Sequence, residues 1–482
     1  MVDFRPVAYV IGRILIVLAI LMLAPAIIDW RAGLENGIAF LQSAAITGVV
    51  GGALTLSTGN ALGRALDTRQ AYLLTAGIWF LVPFFAALPF WIGAPGLNLQ
   101  YAYFEAVSGI TTTGASVISG LADLPLGISL WRGMLNWLGG LGIAFIAMIF
   151  LPLMRIGGMQ FFRTEGFDTF GKILPRATDI AQQLLIIYLI LTVSAVVVYL
   201  VLGMPTFEAV VHGMTTVATG GFSTNDDSFT SYNAPIQYAA ALFMFLASLP
   251  YIRFVQMLNG TVMPLWRDAQ VRAYARWLGM AVISVAVWRF WTTSIGIEEA
   301  FRQSLFNLTS IMSSTGFGTS SFAGWGGFML VVAFVIGIIG ACSGSSAAGL
   351  SVFRVQLVVA VLKREIRRIA NPSAVDPIRY QGRPVEEDVL NALILFVSSF
   401  ILLLGIFTVA LTLMGVDPVS ALFGVWTTLG NVGYGFGPLV ERTGTFIEFP
   451  PGAIALMTLC MILGRLGLLA ILVMVLPSFW RR

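Results

Sequence analysis

"LGNVGYGFG", residues 429–437, packs four glycines into nine residues beside long apolar stretches. Alone it reads as a Gly-rich turn, and in a chain with 51 glycines one such turn carries little weight. Its meaning depends on whether the chain repeats it. Three other stretches have the same form. "FEAVSGITTTGAS" starts at Phe104, "FEAVVHGMTTVATGGFST" at Phe207 and "FRQSLFNLTSIMSSTGFGTSS" at Phe301; the fourth, "ALFGVWTTLGNVGYGFG", starts at Ala421. Each opens with about ten helix-compatible residues, half of the roughly 20 that a bilayer crossing requires. Each then becomes a strip of Thr, Ser and Gly.

The surrounding chain is apolar. Of 482 residues, 58% are hydrophobic and 10% charged, more apolar surface than a water-soluble fold can bury. The apolar runs have helix length and lack the short alternation of barrel strands, so the expected fold is all-α and integral to a membrane. Two runs, near 8–28 and 37–58, come first. The others flank the four strips in pairs: 71–92 and 130–152, 183–203 and 235–262, 274–295 and 326–362, 388–414 and 451–478. That gives ten membrane-spanning helices: an N-terminal pair (1–66) and four helix–loop–helix repeats (67–178, 179–270, 271–387, 388–482). Arg5 and Arg13 bracket the first run without a small-residue cleavage site, which marks a retained helix.

Basic residues follow every even-numbered run: Arg64 and Arg69; Arg155, Arg163, Lys172 and Arg176; Arg267, Arg272 and Arg276; Lys363, Arg364, Arg367, Arg368, Arg379 and Arg383; Arg481 and Arg482. This face is cytoplasmic by the positive-inside rule, so both termini are expected there. The four strips lie on the other face, with Asp123, Asp226, Asp227, Glu298, Glu299, Asp417, Glu441 and Glu448. Those acids form either a solvated rim or a vestibule that attracts cations.

In the sequence the strips align as Thr112-Thr113-Gly114, Ala218-Thr219-Gly220, Ser314-Thr315-Gly316 and Asn431-Val432-Gly433. Non-helical backbone at membrane depth survives only when it is buried in protein or lines water. Four such loops in one orientation suit a pseudo-fourfold arrangement around a central ion pore. Glycine admits the left-handed angles that turn carbonyls inward, and short helices aim the negative ends of their dipoles at the axis. The plainer reading, glycine-capped helix ends in unrelated hairpins, explains one loop and not four at equivalent places.

Other chemistry finds little support. His212 is the only histidine and reads as a packing residue; Cys342 and Cys460 lie in apolar or Gly-rich surroundings, without a disulfide or metal pattern. Nucleotide-binding glycine motifs are absent, so any nucleotide control belongs to a partner. An integral-membrane enzyme would want clustered intramembrane His, Asp or Glu.

Combined with "WLGGLGI" (137–143), "GACSGSSAAGL" (340–350), "NPSAVDPIRYQGRPV" (371–385) and "LGRLG" (463–467), the four strips resemble the Trk/Ktr/HKT superfamily of potassium transporters, specifically its Trk-type uptake subunits. The resemblance covers essentially the whole chain and implies potassium-selective uptake through a channel-like pore, without enzymatic activity. It implies that the four aligned triplets above are the K+ filter, and that the chain forms a homodimer with a cytosolic nucleotide-binding regulatory subunit. The basic loops 153–178 and 363–387 offer that partner a surface, although such charge also serves as a plain topology signal. Sodium-permeable members of the superfamily often carry Ser at the first filter glycine; this chain has Gly114. A potassium-translocating subunit of an ATP-driven complex shares the four loops and is the alternative within transport.

Two intramembrane features follow. The run 327–362 is far longer than a crossing needs and is interrupted by small residues, which suggests an unwound segment at midplane; a small-residue packing face is the alternative. By resemblance it is a gating loop, with Gly340, Cys342, Ser343, Gly344, Ser345, Ser346 and Gly349 in it. Where the family often has Lys just after the loop, this chain has Ser351, while Arg354 remains. Arg465 lies mid-way along the last run, where a charge costs about 2.5–3.5 kcal/mol on insertion scales. By resemblance it sits below the filter and gates the pore; a structural tie to carbonyls is the other reading. The family's Glu two residues on is replaced by Gly467. Arg253, after Pro250, also departs from the family pattern.

Overall fold

The computed structural model describes residues 3–61, 67–94, 96–145, 177–261, 263–319, 322–372, 377–466, 473–474 and 476–480. Arg64, Arg155, Arg163, Lys172, Arg176, Gly467, Arg481, Arg482 and nearly all of the 153–178 loop lie outside them. The described residues are overwhelmingly helical; the one exception in strand form is a hairpin pairing Arg379–Tyr380 with Arg383–Pro384.

Among the described residues, five helices are long and apolar enough to cross a membrane by themselves: Arg5–Arg31, Asn36–Ser57, Arg69–Ile92, Ala181–Val201 and Glu387–Leu413. The stretch expected to cross at 235–262 takes the form of a helix pair, Ala234–Ala247 and Tyr251–Leu258, bent by 92°. Pro250 supplies the bend, since it cannot donate into the preceding turn. The other four expected crossings take different forms. Leu126–Phe145 and Pro451–Leu466 run up to the limit of the described residues. Ala269–Thr292 is one continuous helix whose apolarity is interrupted by Arg272, Arg276 and Arg289. The run 326–362 is divided into Gly327–Ile339 and Val352–Ala370 by an inserted loop.

The four short helices are Leu99–Ile110, Thr206–Val217, Ile297–Met312 and Pro418–Leu429. The first and last start at side-chain caps: Asn98 accepts from the Tyr101 amide and Asp417 from the Ser420 amide. Each short helix packs between the two longer helices of its own repeat. Each also meets the second helix of the preceding repeat. Thr206–Val217 lies on Leu126–Phe145, Ile297–Met312 on Ala234–Ala247, and Leu99–Ile110 on Pro451–Leu466. Trp426 of the fourth donates to the Phe334 carbonyl of Gly327–Ile339. The N-terminal pair docks on the first repeat, where fully buried Asp29 accepts from the Gly127 amide at 2.6 Å and from Asn36 at 2.8 Å.

Candidate functional site

The short helices all end in the same way. The residue after the last turn has left-handed backbone angles: Thr112 (φ 51°), Thr219 (φ 52°), Ser314 (φ 57°) and Asn431 (φ 49°). The next amide reaches back to the last turn: Thr113 to Ser108, Gly220 to Thr215, Thr315 to Ser310 and Val432 to Thr427, at 2.8–2.9 Å. This is a Schellman-type stop, whose left-handed position normally belongs to glycine. β-Branched Thr at such angles is an outlier, and backbone of this kind costs about 1–3 kcal/mol per residue. The surrounding packing therefore over-determines these four positions.

Two residues further on comes a glycine with positive φ: Gly114 (80°), Gly221 (73°), Gly316 (87°) and Gly433 (84°). The four meet in a closed ring. A Cβ on Gly114 would overlap the Gly220 carbonyl, one on Gly221 that of Thr315, one on Gly316 that of Val432, and one on Gly433 that of Thr113. Each loop thus presses its glycine against the carbonyl that precedes the next loop's glycine, in chain order around the circle.

This geometry corrects the alignment of the second loop. Gly221, not Gly220, matches Gly114, Gly316 and Gly433; the equivalent triplet is Thr219-Gly220-Gly221, and Ala218 matches Thr111. The reason is that "TGGF" offers adjacent glycines, and only Gly221 has the positive φ and the close cross-loop approach. A Cβ on Gly220 would instead meet the side chain of buried Asn136, whose amide has no hydrogen-bond partner among the described residues. The residues following the ring glycines are then Ala115, Phe222, Phe317 and Tyr434.

Beneath the ring lies the small-residue loop. It is closed at its neck, where the Leu350 and Ser351 amides donate to the Ile338 and Ile339 carbonyls at 3.0 and 2.9 Å. Gly340 and Gly349 abut there, and a Cβ on Gly349 would come 2.9 Å from the Gly340 Cα. Ser343 donates to the Ser351 hydroxyl at 2.7 Å, so Ser351 belongs to the neck, and Arg354 donates to the Leu350 carbonyl at 2.7 Å. Ser345 turns inward onto the Cys342 carbonyl. The tip faces the ring: the Ala348 amide donates to the Ser314 hydroxyl at 2.6 Å. The bend at Pro250 grips the loop's other side. The Tyr251 amide donates to the Gly344 carbonyl at 2.9 Å, and the Tyr251 hydroxyl bonds that of Ser346.

Arg465 joins these parts. Its Nη2 donates to the Thr112 hydroxyl and to the Ser346 carbonyl, both at 2.6 Å, while its buried Nε has no partner among the described residues. It therefore bridges one left-handed loop residue and the inserted loop. Asn431, at the fourth left-handed position, donates to Thr113 of the first loop at 2.8 Å and to the Met461 carbonyl at 3.0 Å. Arg253 lies apart from this cluster. It pairs with Asp268 at 2.7 Å, the residue that caps Ala269–Thr292.

Residues 36–481 match the family model for TrkH, described as a cation transport protein. The chain belongs to the TrkH family. It is 34% identical to the Trk system potassium uptake protein TrkI of Halomonas elongata, over 99% of this chain and 97% of that one. It is 32% identical to the Trk system potassium uptake protein TrkH of Escherichia coli, over 99% and 100% of the two chains. A crystal structure of the potassium transporter TrkH from Vibrio parahaemolyticus superposes with a TM-score of 0.91 at 30% identity and covers both chains completely. These relatives are named as transport proteins rather than enzymes.

In this TrkH-family chain the ring opens, on the side where the strands leave it, into a cavity of 440 Å³ whose wall includes all four ring glycines. Of the eight acids singled out from the sequence, Asp226, Asp227 and Glu441 line it. Asp417 is instead a helix cap, and Glu448 pairs with Arg442 at 3.2 Å. At the outer rim, a hydrogen bond from Arg302 holds the Glu298 carboxyl below its usual range. Sequence reading missed the residues behind the ring. Seven residues before each left-handed position stand Glu105, His212, Asn307 and Gly424. The first three hold the strand beyond the ring: Glu105 through Ser116 and the Val117 amide, His212 through the Ser223 hydroxyl, and Asn307 through Thr319. The equal spacing was the available signal.

Proposed function

We propose that this chain is the potassium-conducting subunit of a Trk-type uptake system. The observation that carries the reading is the cyclic contact of four glycine-bearing loops, in which each glycine admits the next loop's carbonyl. The carbonyls of Thr113, Gly220, Thr315 and Val432, with those beside them, replace the hydration shell of a potassium ion. The four short helices add the negative ends of their dipoles at the same place. Outside, Asp226, Asp227 and Glu441 raise the local cation concentration. Gly at all four ring positions favours potassium over sodium.

The loop 340–350 is the gate in this reading, and Arg465 is its latch. A cation leaving the ring inward meets the loop and a guanidinium that keeps its charge. Opening breaks the contacts that hold the loop in place, Ala348–Ser314, Arg465–Ser346 and Tyr251–Ser346. The chain works as a homodimer in the cytoplasmic membrane with both termini inside. A cytosolic nucleotide-binding subunit acts on the basic segment that includes Lys363, Arg364, Arg367 and Arg368.

Potassium flux into liposomes holding the purified chain tests the reading, measured with and without sodium and with and without a proton gradient. Uptake of K+ in preference to Na+ supports it. Liposomes that stay as tight to K+ as empty ones, with folded protein present, contradict it.

A further inference from the structure

The junction between the first and second loops is held by a buried charge pair and by the Leu121 amide on the Asp226 carboxylate at 3.0 Å, whereas the links described beyond the ring between the other loops are neutral. Glu105 and Arg132 are 0% and 1% exposed, with Arg132 Nε 2.9 Å from Glu105 Oε1. Glu105 also accepts from the Ser116 hydroxyl at 3.0 Å and, through Oε2, from the Val117 amide at 3.0 Å. Arg132 turns its remaining nitrogens outward along the ring. Nη1 donates to the Ser223 carbonyl at 2.9 Å and Nη2 to the Ser116 hydroxyl at 3.2 Å. Its guanidinium stacks on Phe222, 4.2 Å from the ring centroid.

Ser116 and Ser223 each stand two residues beyond a ring glycine, Gly114 and Gly221. The pair therefore grips the exit strand of the first loop with a carboxylate and that of the second with the guanidinium bound to it. Elsewhere the strands are linked by neutral bonds: Phe229 to the Gly318 carbonyl at 2.9 Å and Gly318 to the Ser228 hydroxyl at 3.3 Å join the second and third, and Phe446 to the Ser116 carbonyl at 2.9 Å joins the fourth and first. Charge-assisted bonds are shorter and about twice as strong as neutral ones. In a buried network they also resist displacement more than an exposed pair would.

We propose that Glu105 and Arg132 are positioning residues that fix the spacing between the first and second filter loops and so set the discrimination between potassium and smaller cations. The inference rests on the filter reading above. If the ring selects by carbonyl geometry, one quarter of its circumference is held by this pair. Loosening it lets the carbonyls close on a smaller ion. The cost falls on selectivity, and conduction of potassium continues.

Removing one charge would strand the other in the interior, so single alanine variants confuse misfolding with lost positioning. Two variants avoid this. Ser116→Ala removes the hydroxyl shared by both partners, together with its local bonds to the Ile118 amide and carbonyl. Glu105→Gln with Arg132→Met removes both charges together, keeps an acceptor for the Val117 amide and cuts the tie to Ser223. Uptake of K+ and Na+ is measured in liposomes, with folded yield and melting temperature read separately. The expected result for the double variant is a K+/Na+ ratio lower by about tenfold, equivalent to about 1.4 kcal/mol; Ser116→Ala falls in the same direction by less. A purely structural role lowers melting temperature and leaves the ratio alone. An unchanged ratio in folded Ser116→Ala and in the double variant overturns the proposal. If the double variant gives no folded protein, Ser116→Ala decides by itself. Wild-type protein that does not prefer K+ sinks the filter reading instead, so the two failures are told apart.

Discussion

Gly220 and Gly221 differ in what replaces their hydrogen. A Cβ on Gly221 runs into backbone, at a φ that side chains tolerate poorly, whereas the nearest obstacle to one on Gly220 is the Asn136 side chain. Gly221→Ala should therefore abolish selective flux with no side-chain rescue. Gly220→Ala should be recovered by Asn136→Gly, at a helix cost of about 1 kcal/mol; Rb+ uptake and melting temperature of the three proteins check this. Sequence reading took Gly220 and was one residue out, because the choice depends on a close approach from the third loop. Arg465 was more legible, since a charge inside an apolar run has few places to go. Two unit charges about 6 Å apart in an effective dielectric of about 20 repel by roughly 3 kcal/mol. That is about a hundredfold in rate if fully expressed at the barrier. Arg465→Ala should raise K+ flux per folded molecule by up to that factor, with Arg465→Lys closer to wild type. An Ala variant of normal yield with flux at or below wild type would remove the electrostatic barrier.

In the proposed function the inserted loop is the element on which gating turns. Its small residues and the excess length of its run made it visible in the sequence, because nothing bulky was present to continue a packed helix. What held it was not visible: Tyr251 lies some 95 residues away in sequence, on a helix whose bend a hydropathy pattern smooths over. Deleting Gly344–Ala348 removes the contacts to Ser314, Tyr251 and Arg465 together and should raise basal K+ flux. Tyr251→Phe deletes only one hydroxyl bond, worth about 1 kcal/mol, and should raise it several-fold. Flux at wild-type level in a folded deletion protein would place the gate elsewhere. The short helices show a related limit. Their ends were legible from Thr/Ser/Gly composition, but the left-handed Thr, Ser and Asn that stop them were not, since those residue types normally avoid such angles.

Across the molecule, apolar length made the all-α membrane class legible, while the way each short helix also leans on a helix from the segment before it needed the packed structure. Among the described residues, three of the expected crossings are bent, divided or arginine-bearing, because a crossing shaped by a pore need not be a uniform apolar rod. The N-terminal pair belongs to the scaffold. Asp29→Ala leaves the buried Gly127 amide unpartnered and should cost about 1–3 kcal/mol of stability, seen as a lower melting temperature with an unaltered K+/Na+ ratio. The central claim is that four glycines and the carbonyls between them select potassium, and the K+/Na+ flux ratio of Gly114→Ser in liposomes tests it most directly. The side chain would collide with the Gly220 carbonyl, so the ratio should fall well below that of wild type while protein yield is retained. A folded Gly114→Ser protein with the wild-type ratio would contradict the account.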